Sequence, residues 1–178
     1  LNYLNFYFTV GKSLSNLPKF QLEVPKTTIP PSSLYSTFCA FVNQANLPGA
    51  PTSLVISSQT GWIQMISKKK FFTTGMDIFM DGSNRKTLSQ ILEKDLTPFQ
   101  TAQIGWQLGY GFWGNAQLAA FVQQGVYLYS LENLEGKLYQ RIGIRRIINE
   151  QLQFTASLKT HFAQADHLEF GILYLWKS

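Results

Sequence analysis

Residues 99–113 read FQTAQIGWQLGYGFW, and their two parities differ in character. Ala102, Ile104, Trp106, Leu108, Tyr110 and Phe112 share one; Thr101, Gln103, Gly105, Gln107, Gly109 and Gly111 share the other. A period of two is that of a β-strand, whose successive side chains leave opposite faces of the pleat. The polar parity decides the kind of sheet. A soluble barrel or sandwich would turn that face to water and place Lys, Glu, Asp and Arg on it. Gly, Gln and Thr suit a crowded polar interior instead, and the bulky apolar parity suits contact with acyl chains.

Working outward, the same division recurs. Leu4, Phe6, Phe8 and Val10 alternate with Tyr3, Asn5, Tyr7 and Thr9; Leu152, Phe154, Ala156 and Leu158 alternate with Gln153, Thr155, Ser157 and Lys159; Leu168, Phe170, Ile172, Tyr174 and Trp176 close the chain. Shorter versions lie near 34–42, 53–66, 70–80, 115–130 and 137–148. Eight or nine strands follow, and the longest reach the roughly 9–11 residues that a tilted membrane strand needs. Aromatics near strand ends, at Phe71-Phe72, Phe112-Trp113, Tyr127 with Tyr129, and Tyr174 with Trp176, are expected to form interfacial girdles. The fold expected is an all-β, antiparallel transmembrane β-barrel of the bacterial outer membrane. Residues 1–178 would form a single barrel domain or the C-terminal part of a larger one, since bacterial single-chain barrels use an even number of strands.

Composition agrees. Charged residues are 14% of the chain, against roughly 25% in an average soluble domain, whereas the 45% of hydrophobic residues exclude disorder. Ser, Thr, Gln, Asn and Gly break every apolar run before the roughly 18 residues of a spanning helix. The single Cys39 excludes an internal disulfide and a multi-cysteine metal site. Leu1 opens the chain without a start Met, so a signal peptide is either already removed or was never present. The net charge of +5 is spread over Lys68-Lys69-Lys70, Arg85-Lys86 and Arg145-Arg146. These form no stripe, which argues against nucleic acid and for solvated loops or pairing with phosphorylated lipid headgroups.

Turn residues separate the strands: Asp81-Gly82-Ser83-Asn84, Gly114-Asn115, Asn133 to Gly136, Asn149-Glu150 and Gln164-Ala165-Asp166. Thr87 and Gln90 at capping-box spacing, an apolar stripe of Leu88, Ile91, Leu92 and Leu96, and Pro98 as a stop predict one short loop helix over 87–97. Gly109 to Gly114 matches the spacing of a dinucleotide-binding loop, but Phe112 and Trp113 would obstruct a pyrophosphate and the preceding strand alternates.

The last two strands hold the chemistry. A three-residue loop at 164–166 would set His161 opposite Glu169 on the polar face, with Lys159 one place along and Arg141, Arg145 and Asp77 on the same parity of their own strands. A His held by a carboxylate is the base half of a hydrolytic triad. The same cluster of Asp77, Arg141, Arg145 and Lys159 also reads as an interior salt-bridge network that fills the lumen. Ser157 stands about 13 Å along the strand from His161 and cannot serve as its nucleophile.

Phe72-Thr-Thr-Gly75-Met-Asp77-Ile-Phe79, Gln124-Gly125-Val-Tyr127-Leu-Tyr129, Leu138-Tyr139-Gln140-Arg141-Ile-Gly143, and above all Leu158-Lys159-Thr-His161-Phe-Ala163-Gln-Ala165-Asp166-His-Leu-Glu169-Phe-Gly171, resemble the C-terminal half of acyloxyacyl hydrolase-like outer-membrane proteins, the lipid A deacylases. The resemblance runs from about Phe71 to Trp176. It implies the outer membrane of a Gram-negative bacterium and contact with membrane lipid and lipopolysaccharide. It also implies hydrolysis of lipid A acyl esters by a Ser, a His and an acid, without metal or other cofactor. His161 and Glu169 are the candidates for base and orienting acid. The family's His-x-Ser motif, usually followed by Asn, is answered here by His161-Phe162-Ala163, so the nucleophile either lies upstream of Leu1 or has been lost. The opening Leu1 to Gly11 is similar to the strand that follows the motif in relatives. Three functions remain open: an acyl-ester hydrolase or its C-terminal portion, a non-catalytic barrel that scaffolds other outer-membrane proteins, and a soluble barrel holding a small apolar ligand.

Overall fold

The computed structural model describes residues 30–44, 52–114, 117–131, 136–161 and 164–176. The alternating segments are all strands: β1 (Ser32–Gln44), β2 (Thr52–Met65), β3 (Lys70–Asp81), β4 (Gln103–Trp113), β5 (Leu118–Tyr129), β6 (Leu138–Ile147), β7 (Leu152–His161) and β8 (Gln164–Leu175), with one helix, α1 (Gly82–Ile91), between β3 and β4. Each strand pairs antiparallel with the next, and β8 pairs with β1 in the register of Phe38 with Ile172, so the eight described strands close into a barrel. The alternation expected at Leu4 to Val10 lies outside the described residues.

Face assignment follows the sequence. Gln107 is fully buried, whereas its neighbours Trp106 and Leu108 are 40% and 39% exposed on the outer wall. That wall continues through Phe38, Ile78, Ile142 and Phe170, an apolar surface far larger than a water-exposed protein tolerates. Tight turns at 66–69 and 148–151 sit at one end; in the second, Asn149 Oδ1 accepts from the backbone N–H of Gln151 and Leu152 at 2.9 and 2.8 Å. No helix among the described residues is long and apolar enough to cross a membrane, and crossing falls to the strands.

The interior is layered along the barrel axis. At the tight-turn end an apolar plug of Tyr35, Ile63, Phe71, Trp113 and Leu173 fills the lumen; at the other end Phe79, Tyr127 and Tyr139 form an aromatic trio. Room for these rings comes from glycine: a Cβ at Gly111 would collide with the tip of the Phe71 ring, and one at Gly105 would come 2.6 Å from the Tyr139 hydroxyl. The expected girdle is corrected here. The pleat splits Phe71 from Phe72 and Phe112 from Trp113, so Phe71 and Trp113 turn inward while Phe112 stays outside; Tyr127 and Tyr129 share a parity, but a register shift opposite Ile104 and Gly105 leaves Tyr127 inside and Tyr129 outside. Tyr174 and Trp176 do meet near the strand end, edge to face at 5.2 Å.

The helix also differs from expectation, spanning 82–91 in place of 87–97. Asp81 is the reason. Its Oδ1 accepts from both the backbone N–H and the hydroxyl of Ser83 at 2.6 Å, capping a helix that starts directly from β3. Thr87 is therefore inside the helix and donates back to the Ser83 carbonyl at 3.1 Å. The helix ends near Glu93, whose φ of 52° marks a left-handed stop well before Pro98.

Candidate functional site

Inward parity on four strands brings the ionisable residues together. Asp77 of β3, Arg141 of β6, Lys159 of β7 and Glu169 of β8 are all buried in the lumen. Arg141 sits at the centre, donating from Nη1 to Asp77 Oδ2 at 2.8 Å and from Nε to Glu169 Oε2 at 2.6 Å. The remaining carboxylate positions are filled as well. Asp77 accepts from Gln59 Nε2 at 2.9 Å and from the Tyr139 hydroxyl; Glu169 accepts from Ser57 at 3.3 Å and Ser157 at 3.1 Å. Buried charges of opposite sign, each with hydrogen bonds on its other lone pairs, are the arrangement that makes such burial tolerable. The Arg141 guanidinium also lies over the rings of Phe79 and Tyr139, at 5.0 and 5.4 Å.

Arg145 shares parity with Arg141 but not its company. Four residues separate them, about 13 Å of strand, which carries Arg145 down to the apolar plug. There it packs over Phe121 at 4.5 Å, Phe71 at 5.5 Å and Tyr35 at 5.7 Å, and its Nε and Nη1 have no hydrogen-bond partner among the described residues. Of the expected group of four, Asp77 pairs with Arg141, Lys159 pairs with Asp166 at 3.5 Å, and Arg145 is held by aromatic faces.

The pairing expected for His161 is corrected by register. β8 starts at Gln164, so the loop is shorter than 164–166, and Ser157 stands opposite Glu169 while His161 pairs with Gln164. Lys159 faces His167, and the register then shifts so that Thr160 faces Ala165, leaving Asp166 as the extra residue of a bulge. The bulge changes what Asp166 can reach. Strict alternation would send it to the outer wall with Leu168 and Phe170; instead Oδ2 lies 3.0 Å from His167 Nδ1, 3.5 Å from Lys159 Nζ and 3.6 Å from His161 Nδ1. Tyr127 meets the other side of His161, with Oη 3.0 Å from Nε2. His167 stacks on Phe41 at 3.9 Å, and its Nε2 lies 3.6 Å from Glu169 Oε1.

Chemically, this is a set of neutralised pairs. Glu169 is engaged by a guanidinium and two hydroxyls, and His161 is oriented by Asp166 and Tyr127. Sequence reasoning places Tyr127 in a girdle and Asp166 in a turn, and it assigns neither of them, nor Ser57, Gln59 or His167, to this site. The inward parity of Tyr127 with Gln123 and Gly125 could have revealed that ring. Among the described residues, no group of three or more His, Cys, Asp or Glu is placed to hold a metal ion.

No curated protein matches the chain. A solved structure described as "De novo design of transmembrane beta-barrels" aligns over 83% of this chain and 97% of its own, at 10% identity and a TM-score of 0.48. The family model for the acyloxyacyl hydrolase C-terminal domain matches residues 34–178. That match takes in β2 to β8 and all but the first two residues of β1, with all the ionisable residues of the lumen, and with the lipid-suited outer wall it points to the bacterial outer membrane. The chain belongs to the acyloxyacyl hydrolase C-terminal domain family.

Proposed function

We propose that this barrel is a non-hydrolytic member of its family: a lipid-embedded scaffold in the outer membrane of a Gram-negative bacterium, whose interior charges hold the barrel together in place of cleaving an ester. One observation carries the reading. Ala163 stands where the family's motif places the nucleophilic Ser, and the groups that would complete a triad are held by other partners. Glu169 is bound to Arg141 at 2.6 Å, and His161 is bracketed by Tyr127 and Asp166. A general base must reach the proton it removes, at about 2.6–3.2 Å or through one water. The hydroxyl that meets His161 Nε2 at 3.0 Å is phenolic, that of Tyr127 in the aromatic trio.

The outer wall supports contact with membrane lipid and lipopolysaccharide, and a barrel without chemistry of its own is suited to supporting other outer-membrane proteins. The test is mass spectrometry of lipid A from cells making the wild-type chain, the His161→Ala chain, or neither. Identical acyl counts in all three are expected. Loss of an acyl chain in the wild-type sample alone would restore the hydrolase assignment.

A further inference from the structure

Arg145 is 2% exposed, and no carboxylate stands beside it among the described residues. A guanidinium keeps its proton in proteins, so Arg145 cannot escape burial by becoming neutral. Asp77 and Glu169, the carboxylates of the middle layer, are both held by Arg141, which is four residues or about 13 Å of strand away. The rings of Phe121, Phe71 and Tyr35 attract the guanidinium through their faces but carry no charge to neutralise it. Burying a charge without a counter-ion is among the costliest arrangements a fold can hold.

A cavity of about 20 Å³ reaches both arginines inside the lumen, and Thr37, Cys39, Ser57 and Glu169 share its lining. A water-sized particle takes about 10–15 Å³ on this measure, so the space holds one or two. Its donors are unevenly committed. Ser57 and Ser157 donate to Glu169, and Gln59 donates to Asp77. Thr37 Oγ1 and Arg145 Nε and Nη1 are buried with no partner among the described residues. Glu169 is the one carboxylate in the lining, and Arg141 and the two serines hold it. The side-chain carbonyls of Gln107 and Gln153 are unmatched as well, but neither residue lines the cavity, and an amide brings no charge.

Water would satisfy the free donors and leave the charge uncancelled. Phosphate, sulfate or an organic carboxylate would exceed the space, and a dianion would be repelled by Glu169. A monatomic monovalent anion meets the donors, cancels the charge and fits. We propose that the lumen binds one buried halide, chloride or bromide, held by the Arg145 guanidinium and the Thr37 hydroxyl. Arg145 lies on β6 and Thr37 on β1, strands that no backbone ladder pairs, so the ion also ties two sides of the barrel together. The assignment concerns the layer between the Arg141 hub and the apolar plug, whether or not the barrel cleaves an ester.

The test uses the full chain refolded in non-ionic detergent, with heat-modifiable gel mobility giving the midpoint of thermal unfolding. Chloride is varied from about 1 to about 100 mM against gluconate, an anion too large for the cavity, at constant ionic strength; a ligand of the folded state alone should raise the wild-type midpoint by several degrees. Equilibrium dialysis against bromide, read by elemental mass spectrometry, should find about one more bromide per barrel in wild type than in Arg145→Met. Arg145→Met should lose the chloride dependence. Thr37→Val should raise the chloride needed for half the effect about tenfold, the loss expected for one hydrogen bond to a charge. If Arg145→Met does not form a barrel, Thr37→Val decides in both measurements. A wild-type midpoint indifferent to chloride, or a dependence unchanged in these variants, would overturn the proposal and leave water as the occupant. An equal rise with phosphate in place of chloride would overturn it too, because the space would then admit a polyatomic anion.

Discussion

Across the closing hairpin Ser157 stands opposite Glu169, and its hydroxyl donates to Glu169 Oε2 at 3.1 Å. Ser57 reaches the same carboxylate from β2 and Arg141 reaches it from β6, so one side chain of β8 is tied to three other strands. Through Arg141 the connection extends to Asp77 on β3. The links from Ser57 and Arg141 join strands that no backbone ladder pairs, and the cluster lies between the apolar plug and the aromatic trio. The middle of this barrel is held by charge and hydrogen bonds where a soluble domain would use aliphatic packing.

Removing the hub should therefore cost more than removing a surface ion pair. Arg141→Met leaves Asp77 and Glu169 buried without their cation, and breaking a buried pair in this way costs about 3–5 kcal/mol. Urea unfolding in detergent micelles, followed by tryptophan fluorescence, should show that loss. Adding Asp77→Asn and Glu169→Gln to the same chain should recover a substantial part of it, because the stranded charges are then gone. A single variant as stable as wild type would mean the cluster does not hold the barrel.

Gly125 faces the Tyr139 ring so closely that any Cβ would enter the space of its carbons, one of them 2.5 Å away. Gly125→Ala should destabilise the barrel by about 1–3 kcal/mol, as overpacking does elsewhere. Tyr139→Leu combined with Gly125→Ala should cost less than the sum of the two separate changes, since neighbours that share one volume are not additive. Thermal loss of heat-modifiable mobility gives the comparison. Full additivity would show that ring and glycine do not compete.

The outer wall predicts a depth dependence. Leu108 sits at the middle of β4 and Phe112 near its end, both exposed on the apolar face. An Arg on a lipid-facing position costs about 2–4 kcal/mol at the bilayer midplane and about 0–1 near the interface. Leu108→Arg should therefore impair folding into phospholipid vesicles far more than Phe112→Arg, while the two should behave alike when unfolded in urea. Equal penalties would contradict the membrane placement.

The barrel was legible because its signal is repeated: every long strand sorts Gly and Gln from Leu, Ile and Trp, and eight copies of one pattern outweigh local ambiguity. The lumen charges were legible for the same reason, since Asp77, Arg141, Lys159 and Glu169 each sit on the polar parity. What failed was everything that breaks period two. Asp166 reads as a turn residue and as outward-facing by count, and only the register shift at Thr160 brings it to His161 and Lys159. A one-residue displacement exchanges the faces of a strand; the expectation that His161 faces Glu169 fails for a different reason, because it sets the loop at 164–166 where β8 has already begun. The helix start failed differently: Asp81 was assigned to a turn because Asp-Gly is a strong turn signal, but its carboxylate can cap as readily as it can turn.

Restoring the motif residue alone should not restore ester hydrolysis. Ala163→Ser re-creates the His-x-Ser order at 161–163, but a triad also needs a base with access to the hydroxyl and an acid that orients the base. The acid expected for that role, Glu169, faces Ser157 and is bound by Arg141, and the carboxylate nearest His161 is Asp166, at 3.6 Å and shared with Lys159 and His167. Lipid A from cells making Ala163→Ser should therefore keep the acyl count of cells making wild type, and purified Ala163→Ser should not release fatty acid from lipid A in detergent. Release that appears with Ala163→Ser and vanishes when His161→Ala is added would show that His161 can still act as a base, and that loss of the Ser alone silenced this barrel.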